Sequence, residues 1–143
     1  MEPLSVIASI FGILSAAASI SKVLKVTLER SKNAPKSIQD LESEVNGIRK
    51  ALEQLQAFVL RKVQVSRSQA SLIMAEQVVV TLVGCVTTFS QLESFADTLK
   101  SDEEIGIMDR IRWMTKADAI AEMISKLQNH KLSLIMMLMI LES

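Results

Sequence analysis

Apolar side chains recur along this chain at intervals of three and four residues, the spacing that puts them on one face of an α-helix. The pattern is cleanest over Ile38, Leu41, Val45, Ile48, Leu52, Leu55 and Val59, which alternate 3,4,3,4,3,4. It predicts a second helix beginning at Ser37 or shortly before, with a narrow seam against its neighbours and with Asp40, Glu42, Glu44, Arg49, Lys50 and Glu53 facing water. Ahead of it, Pro3 opens a first helix near its first turn. Ser31-Lys32-Asn33-Ala34-Pro35 closes that helix, because the residue before a proline is steered out of the α region.

The third segment, from about Ser68 to Leu99, is rich in β-branched residues over Val78–Val83 and Val86–Phe89, and such residues favour strands. Periodicity and length argue for a helix. Leu72, Ala75, Val79, Leu82, Val86 and Phe89 hold the spacing, and Leu92, Ala96 and Leu99 resume it after a one-residue phase shift. Gly84 is expected to be a close-packing point, and the apolar middle of the segment to lie centrally. Ser101-Asp102-Glu103-Glu104 then has the form of an N-terminal cap. A fourth seam follows through Ile107, Ile111, Met114, Ala117, Ile120, Ile124, Leu127, Leu134, Leu138 and Leu141. The order Thr115-Lys116-Ala117-Asp118 has the form of a second cap, so the bundle has four helices or, with a break near Trp113, five. Lys131 falls on the apolar register and is expected to snorkel along its own stem rather than pair with a carboxylate of the second helix. The apolar tail from Leu132 to Leu141 is too short to cross a bilayer and is expected to be core.

The first segment departs from the ordinary amphipathic pattern. From Met1 to Ser21 its one charge is Glu2, and it carries two apolar stripes. Leu4, Ile7, Phe11, Leu14 and Ala18 make one; Val6, Ile10, Ile13, Ala17, Ile20 and Leu24 make the other. A helix with two such stripes belongs either in the centre of a bundle or in lipid. A secretory leader is disfavoured, because its n-region should be basic and only Glu2 is present. A permanent span is disfavoured too, since the 19 residues from Pro3 to Ser21 include five serines and five alanines or glycines. A buried helix that can be released fits better, and a plain core helix stays open. Ser9, Gly12, Ser15, Ala16 and Ser19 would allow close helix approach in lipid or in a tight bundle.

With 143 residues, 49% of them hydrophobic, four glycines, two prolines and no tyrosine, the composition is that of one all-α domain. Lone Cys85 gives no disulfide framework and fits an intracellular protein, and lone His130 is too little for a metal site. Charge is balanced overall but not locally. Lys22, Lys25, Arg30, Lys32 and Lys36 against Glu29 give +4 directly after the uncharged helix, where a juxtamembrane basic cluster would stand. Helix C-termini and solvated loops also favour such residues. Arg61, Lys62 and Arg67 form a second basic group, and residues 93–118 lean acidic. Without interleaved aromatics, nucleic acid is not an expected partner. No phosphate loop, metal-ligand spacing or nucleophile elbow is present, so neither enzyme activity, a cofactor nor a small-molecule substrate is expected. Met136, Met137 and Met139 cluster, as core fillers or as an adaptable binding surface.

The opening Met1-Glu2-Pro3-Leu4-Ser5-Val6-Ile7-Ala8-Ser9-Ile10 with Gly12-Ile13-Leu14-Ser15 resembles the start of HeLo-like domains at the N-terminus of fungal NOD-like receptors and other STAND proteins. The stretch Arg112-Trp113-Met114-Thr115-Lys116, with Ile120, Leu127 through Leu134 and Leu138, resembles their last helix. The resemblance implies a single bundle over residues 1–143, excised from a longer receptor and related to the membrane-targeting four-helix domain of the necroptosis pseudokinase and to plant coiled-coil resistance domains. It implies a cell-death effector that rests in the cytoplasm, self-associates when its receptor oligomerises, and then inserts its first helix into the plasma membrane. The inserting residues would be Leu4, Val6, Ile7, Ile10, Phe11, Gly12, Ile13, Leu14 and Ile20. Lys22, Lys25, Arg30, Lys32 and Lys36 would contact anionic lipid. Plant relatives that form channels carry an acidic residue inside the first helix; here no acid lies between Glu2 and Glu29, which favours general membrane disruption over a selective channel. The alternative is a non-lytic adaptor or homo-oligomerisation module.

Overall fold

The structure is a computed structural model that describes the backbone of residues 3–65, 69–101 and 110–142, and the side chains of residues 6–60, 78–99 and 111–140. Four helices follow in order: α1 (Pro3–Arg30), α2 (Lys36–Val65), α3 (Gln69–Ser101) and α4 (Arg110–Glu142). The first three run where the periodicity places them. α4 passes through Trp113 to Lys116 unbroken, so the five-helix alternative is corrected to four. Thr115 does not cap a second helix but turns its hydroxyl back to donate to the carbonyl of Arg112 at 2.6 Å. A threonine bonded to its own preceding turn is compatible with a helix interior. The cap pattern after Ser101 lies outside the described residues.

α1 packs on α2 and α3, and α4 packs on the same two helices, which leaves α1 opposite α4 and α2 opposite α3 across the bundle. α3 and α4 are antiparallel, as the pairs Thr81–Met137, Thr88–His130 and Gln91–Lys126 show. The start of α4 meets the end of α1, where buried Trp113 donates its indole N–H to Ser31 Oγ at 3.2 Å. α1 and α3 therefore run parallel to one another. Each helix presents one seam to a common core. For α2 that seam is Ile38, Leu41, Val45, Ile48, Leu52 and Leu55, all fully buried, as its spacing predicts. Each such side chain contributes about 1.5–3 kcal/mol by leaving water.

The seams of α3 and α4 correct the expected register. In α3 the buried residues are Val78, Leu82, Cys85, Phe89, Leu92, Ala96 and Leu99, an unbroken 4,3,4,3,4,3 series. The phase shift vanishes once Cys85 replaces Val86 as the inward residue. In α4 the core side runs through Trp113, Ile120, Met123, Leu127, Leu134, Met137 and Leu138, while Ile111, Met114 and Ala117 are exposed. His130, rather than Lys131, continues the inward register. The buried polar side chains Ser21, Thr27, Ser31 and Thr88 each have a partner, in Glu42, the Val23 carbonyl, Trp113 and His130 respectively. A buried hydroxyl left unpaired would cost about 1–3 kcal/mol.

Candidate functional site: the outer face of the first helix

α1 is not wedged in the centre of the bundle, because four helices packed in a ring leave every helix with an outer face. Its second stripe faces the core: Val6, Ile10, Ile13, Ala17, Ile20 and Leu24 are all at most 5% exposed. Its first stripe does not. Ile7 and Leu14 are half-buried, Ala18 is exposed and Phe11 is 61% exposed, while the side chain of Leu4 lies outside those described. The expected insertion set is thus divided between an inner half that holds α1 in the bundle and an outer half already in water.

Gly12 is placed by its helix on a side that nothing approaches: no atom lies within 4 Å of where a β-carbon would stand. The small residues do not draw α1 tightly onto a neighbour at this level. Gly12, Ser15, Ala16 and Ser19 instead line an open groove of about 370 Å³, closed on the α3 side by Glu93, Ala96 and Asp97.

Two helices are long and apolar enough to cross a bilayer, over Val6–Arg30 and Val78–Leu99 among the described residues, and a third of the apolar window within each is buried. Core helices of water-soluble bundles meet the same measure. What the fold adds is that the two are neighbours, α1 and α3. The middle of α3, expected to lie centrally, is divided: Leu82, Cys85 and Phe89 face the core, while Val80, Val83 and Val86 face outward. A valine-rich helix with an unbroken inner seam has more apolar residues than one core face can take.

The basic residues gather where α1 turns into α2. Lys22, Lys25 and Arg30 project from the last turns of α1, Lys32 stands in the connection and Lys36 opens α2, all of them exposed. Lys25 is engaged within the fold, 3.7 Å from Glu42, which also accepts hydrogen bonds from Ser21 at 3.3 Å and Asn46 at 2.8 Å. Lys22, Arg30, Lys32 and Lys36 have no ion pair among the described residues. At about 1.5 Å per residue the uncharged run from Pro3 to Ser21 is roughly 28 Å long, close to the thickness of a bilayer's hydrocarbon core, and Lys22 follows it directly.

Sequence reasoning placed Glu42 and Glu44 in water, yet both are largely buried at the flanks of α2's seam, Glu42 toward α1 and Glu44 toward α4. The expectation for Lys131 is likewise overturned: its Nζ lies 2.8 Å from Glu44 Oε2, and Gln128 donates to Glu44 Oε1 at 3.3 Å. Gly47 makes room for the lysine stem, since a β-carbon there would stand 3.0 Å from Lys131 Cδ. A glycine one turn beyond an acid near a seam is the signal that could have indicated this pair.

Of the remaining titratable groups near the core, Cys85 is buried and His130 is partly buried. Burial pushes the Cys85 thiol up to about 12, so it is inert as a nucleophile. Burial, and then the charge of Lys126, lower the pKa of His130. No cluster of His, Cys, Asp and Glu that could hold a metal occurs among the described residues.

These features define an all-α four-helix bundle with an apolar first helix. Residues 1–141 match the family of the pigment biosynthesis cluster protein PigL N-terminal domain, and the chain belongs to that family of fungal helical domains. Comparison with curated proteins gives no match, and neither does comparison with solved structures.

Proposed function

We propose that this domain is a membrane-permeabilising cell-death effector of the HeLo-like kind, carried at rest in the cytoplasm by a NOD-like receptor. Receptor-driven oligomerisation gathers several bundles, α1 leaves its seam, and the released helix enters the plasma membrane with Lys22, Arg30, Lys32 and Lys36 against anionic headgroups. The observation that carries this reading is the division of α1: a helix long and apolar enough to cross a bilayer is held by one stripe while its other side, with Phe11, stands in water.

Release is costly. Exposing six core side chains of α1, together with the seams facing them, opposes the step by on the order of 10 kcal/mol. Burial of both α1 stripes in lipid and contacts between copies would have to offset that cost, so an isolated copy stays closed. Moving such an equilibrium from 1:99 to 99:1 takes about 5.5 kcal/mol of preference for the open state.

The test is dye release from anionic vesicles by the intact chain fused to a multimeriser, compared with its Phe11→Glu variant. Because Phe11 is exposed, the variant keeps its helix content by circular dichroism, and leakage should fall at least tenfold. Equal leakage from both would reject α1 as the active element. No leakage from either would favour the non-lytic adaptor. Replacing Lys22, Arg30, Lys32 and Lys36 by Glu should abolish the dependence of vesicle binding on anionic lipid.

A further inference from the structure

The C-terminal half of α4 carries a second apolar seam on the side away from the core. Leu132, Ile135, Met136, Met139 and Ile140 fall at i, i+3, i+4, i+7 and i+8, and their exposures are 59%, 42%, 55%, 69% and 55%. The inward seam of the same turns is complete without them, in Leu134, Met137 and Leu138. Ten consecutive positions from Leu132 to Leu141 with Ser133 as the only polar one cannot all face one core on a helix of 3.6 residues per turn, so the expectation that this tail is core holds for its inner half alone. The outer series is the spacing by which one helix docks on another.

We propose that this face is the surface on which two copies of the chain pair, α4 against α4 about a two-fold axis near Met136. The patch holds no charge, so a copy of itself meets no like-charge repulsion, and an isologous contact needs only a surface complementary to itself. Its polar neighbours toward the helix start, Ser125, Gln128 and Asn129, are exposed and uncharged as well. The five side chains leave on the order of 500 Å² of apolar surface in water, near the upper end of what a monomer displays. Joined across a two-fold axis they would remove about 1,000 Å² in all, the lower edge of specific association. The dimer is therefore concentration-dependent, formed when copies are gathered rather than when they are dilute. The face is too short to span a bilayer: nine residues of helix reach only about 13 Å, less than half a hydrocarbon core. Met136 and Met139, flexible and polarisable, suit a contact that must repack as it forms.

This inference deepens the assembly step of the proposed function and rests on it for its purpose, yet its test needs no membrane, so each can fail alone. Sedimentation equilibrium of the full chain from about 5 to 500 μM should show the mass rising from monomer to dimer. Met136→Glu, at an exposed position, should stay monomeric with unchanged helix content. Mixing Met136→Glu protein with Met136→Lys protein should restore the dimer as a heterodimer, because the two positions face each other at the axis. A wild-type chain that remains monomeric throughout, or a Met136→Glu variant that still dimerises, would overturn the proposal. So would a monomeric chain whose Met136→Glu variant loses binding to vesicles, since the face would then belong to lipid.

Discussion

His130 of α4 stands on the bare backbone of Gly84 in α3, so close that a β-carbon at position 84 would lie 2.9 Å from its Cε1. The ring is held there by a 2.8 Å hydrogen bond between its Nε2 and the buried hydroxyl of Thr88. A planar ring fixed at one end cannot swing aside as a flexible chain would. Gly84→Ala is therefore expected to destabilise the bundle by about 1–2 kcal/mol in urea unfolding, with the overpacking penalty exceeding the roughly 1 kcal/mol that alanine gains in helix propensity. In a His130→Ala background the same change should become stabilising. Keeping one sign in both backgrounds would mean that the contact is not tight.

The same histidine makes stability depend on pH. Its pKa lies below the ordinary 6.5 in the folded state, first because it is buried and then because of Lys126; the α3 groups it meets, Gly84 and Thr88, are uncharged. The unfolded chain thus binds the extra proton first, and stability is present above about pH 6.5 and lost as pH falls through that value toward the folded pKa. Thermal melts between pH 7.5 and 5.5 should show a falling Tm. His130→Gln should flatten this part of the profile, and an undiminished slope would assign it elsewhere.

Glu44 and Lys131 tie α2 to α4 with the two side chains 16% and 32% exposed. Sealed from most water, such a pair is worth more than a surface one but is not free of screening. A double-mutant cycle of Glu44→Gln and Lys131→Met should give a coupling of about 1 kcal/mol that shrinks in 1 M salt. Zero coupling at low salt would make the pair incidental.

Gly12 has open space around it, so in the resting bundle Gly12→Ala should add about 0.5–1 kcal/mol through helix propensity alone. If α1 associates through its small residues after release, the same change should lower vesicle leakage although it stabilises the folded chain. Unchanged leakage would leave Gly12 without a role in lipid.

The sequence pattern carried the four helices, with a fifth left open, the end of α1 and the seam of α2 from Ile38 to Leu55, because a proline stop and a regular 3,4 series leave no choice of face; Val59, last in that series, is half-buried. It failed where apolar residues were too many. In α3 and in the tail of α4 two interleaved series compete, and only packing decides that Cys85 turns inward and Val86 out. Glu42 and Glu44 sit beside seam residues Leu41 and Val45, at flanking positions where a charge can face water or a neighbouring helix; the partners Lys25 and Lys131 come from other helices and are invisible locally. The candidate site was legible as an apolar first helix followed by basic residues. Which stripe of that helix is buried was not.

Whether α1 leaves the bundle can be measured as a distance. Spin labels on Ala18→Cys of α1 and Lys50→Cys of α2, both exposed, would report the separation of these neighbouring helices, with buried Cys85 resisting modification. In solution one narrow distribution is expected; on anionic vesicles, with the chain multimerised, it should shift to longer distances as dye leaks. An unchanged narrow distribution while leakage proceeds would show that the intact bundle acts without releasing its first helix, and would contradict the account.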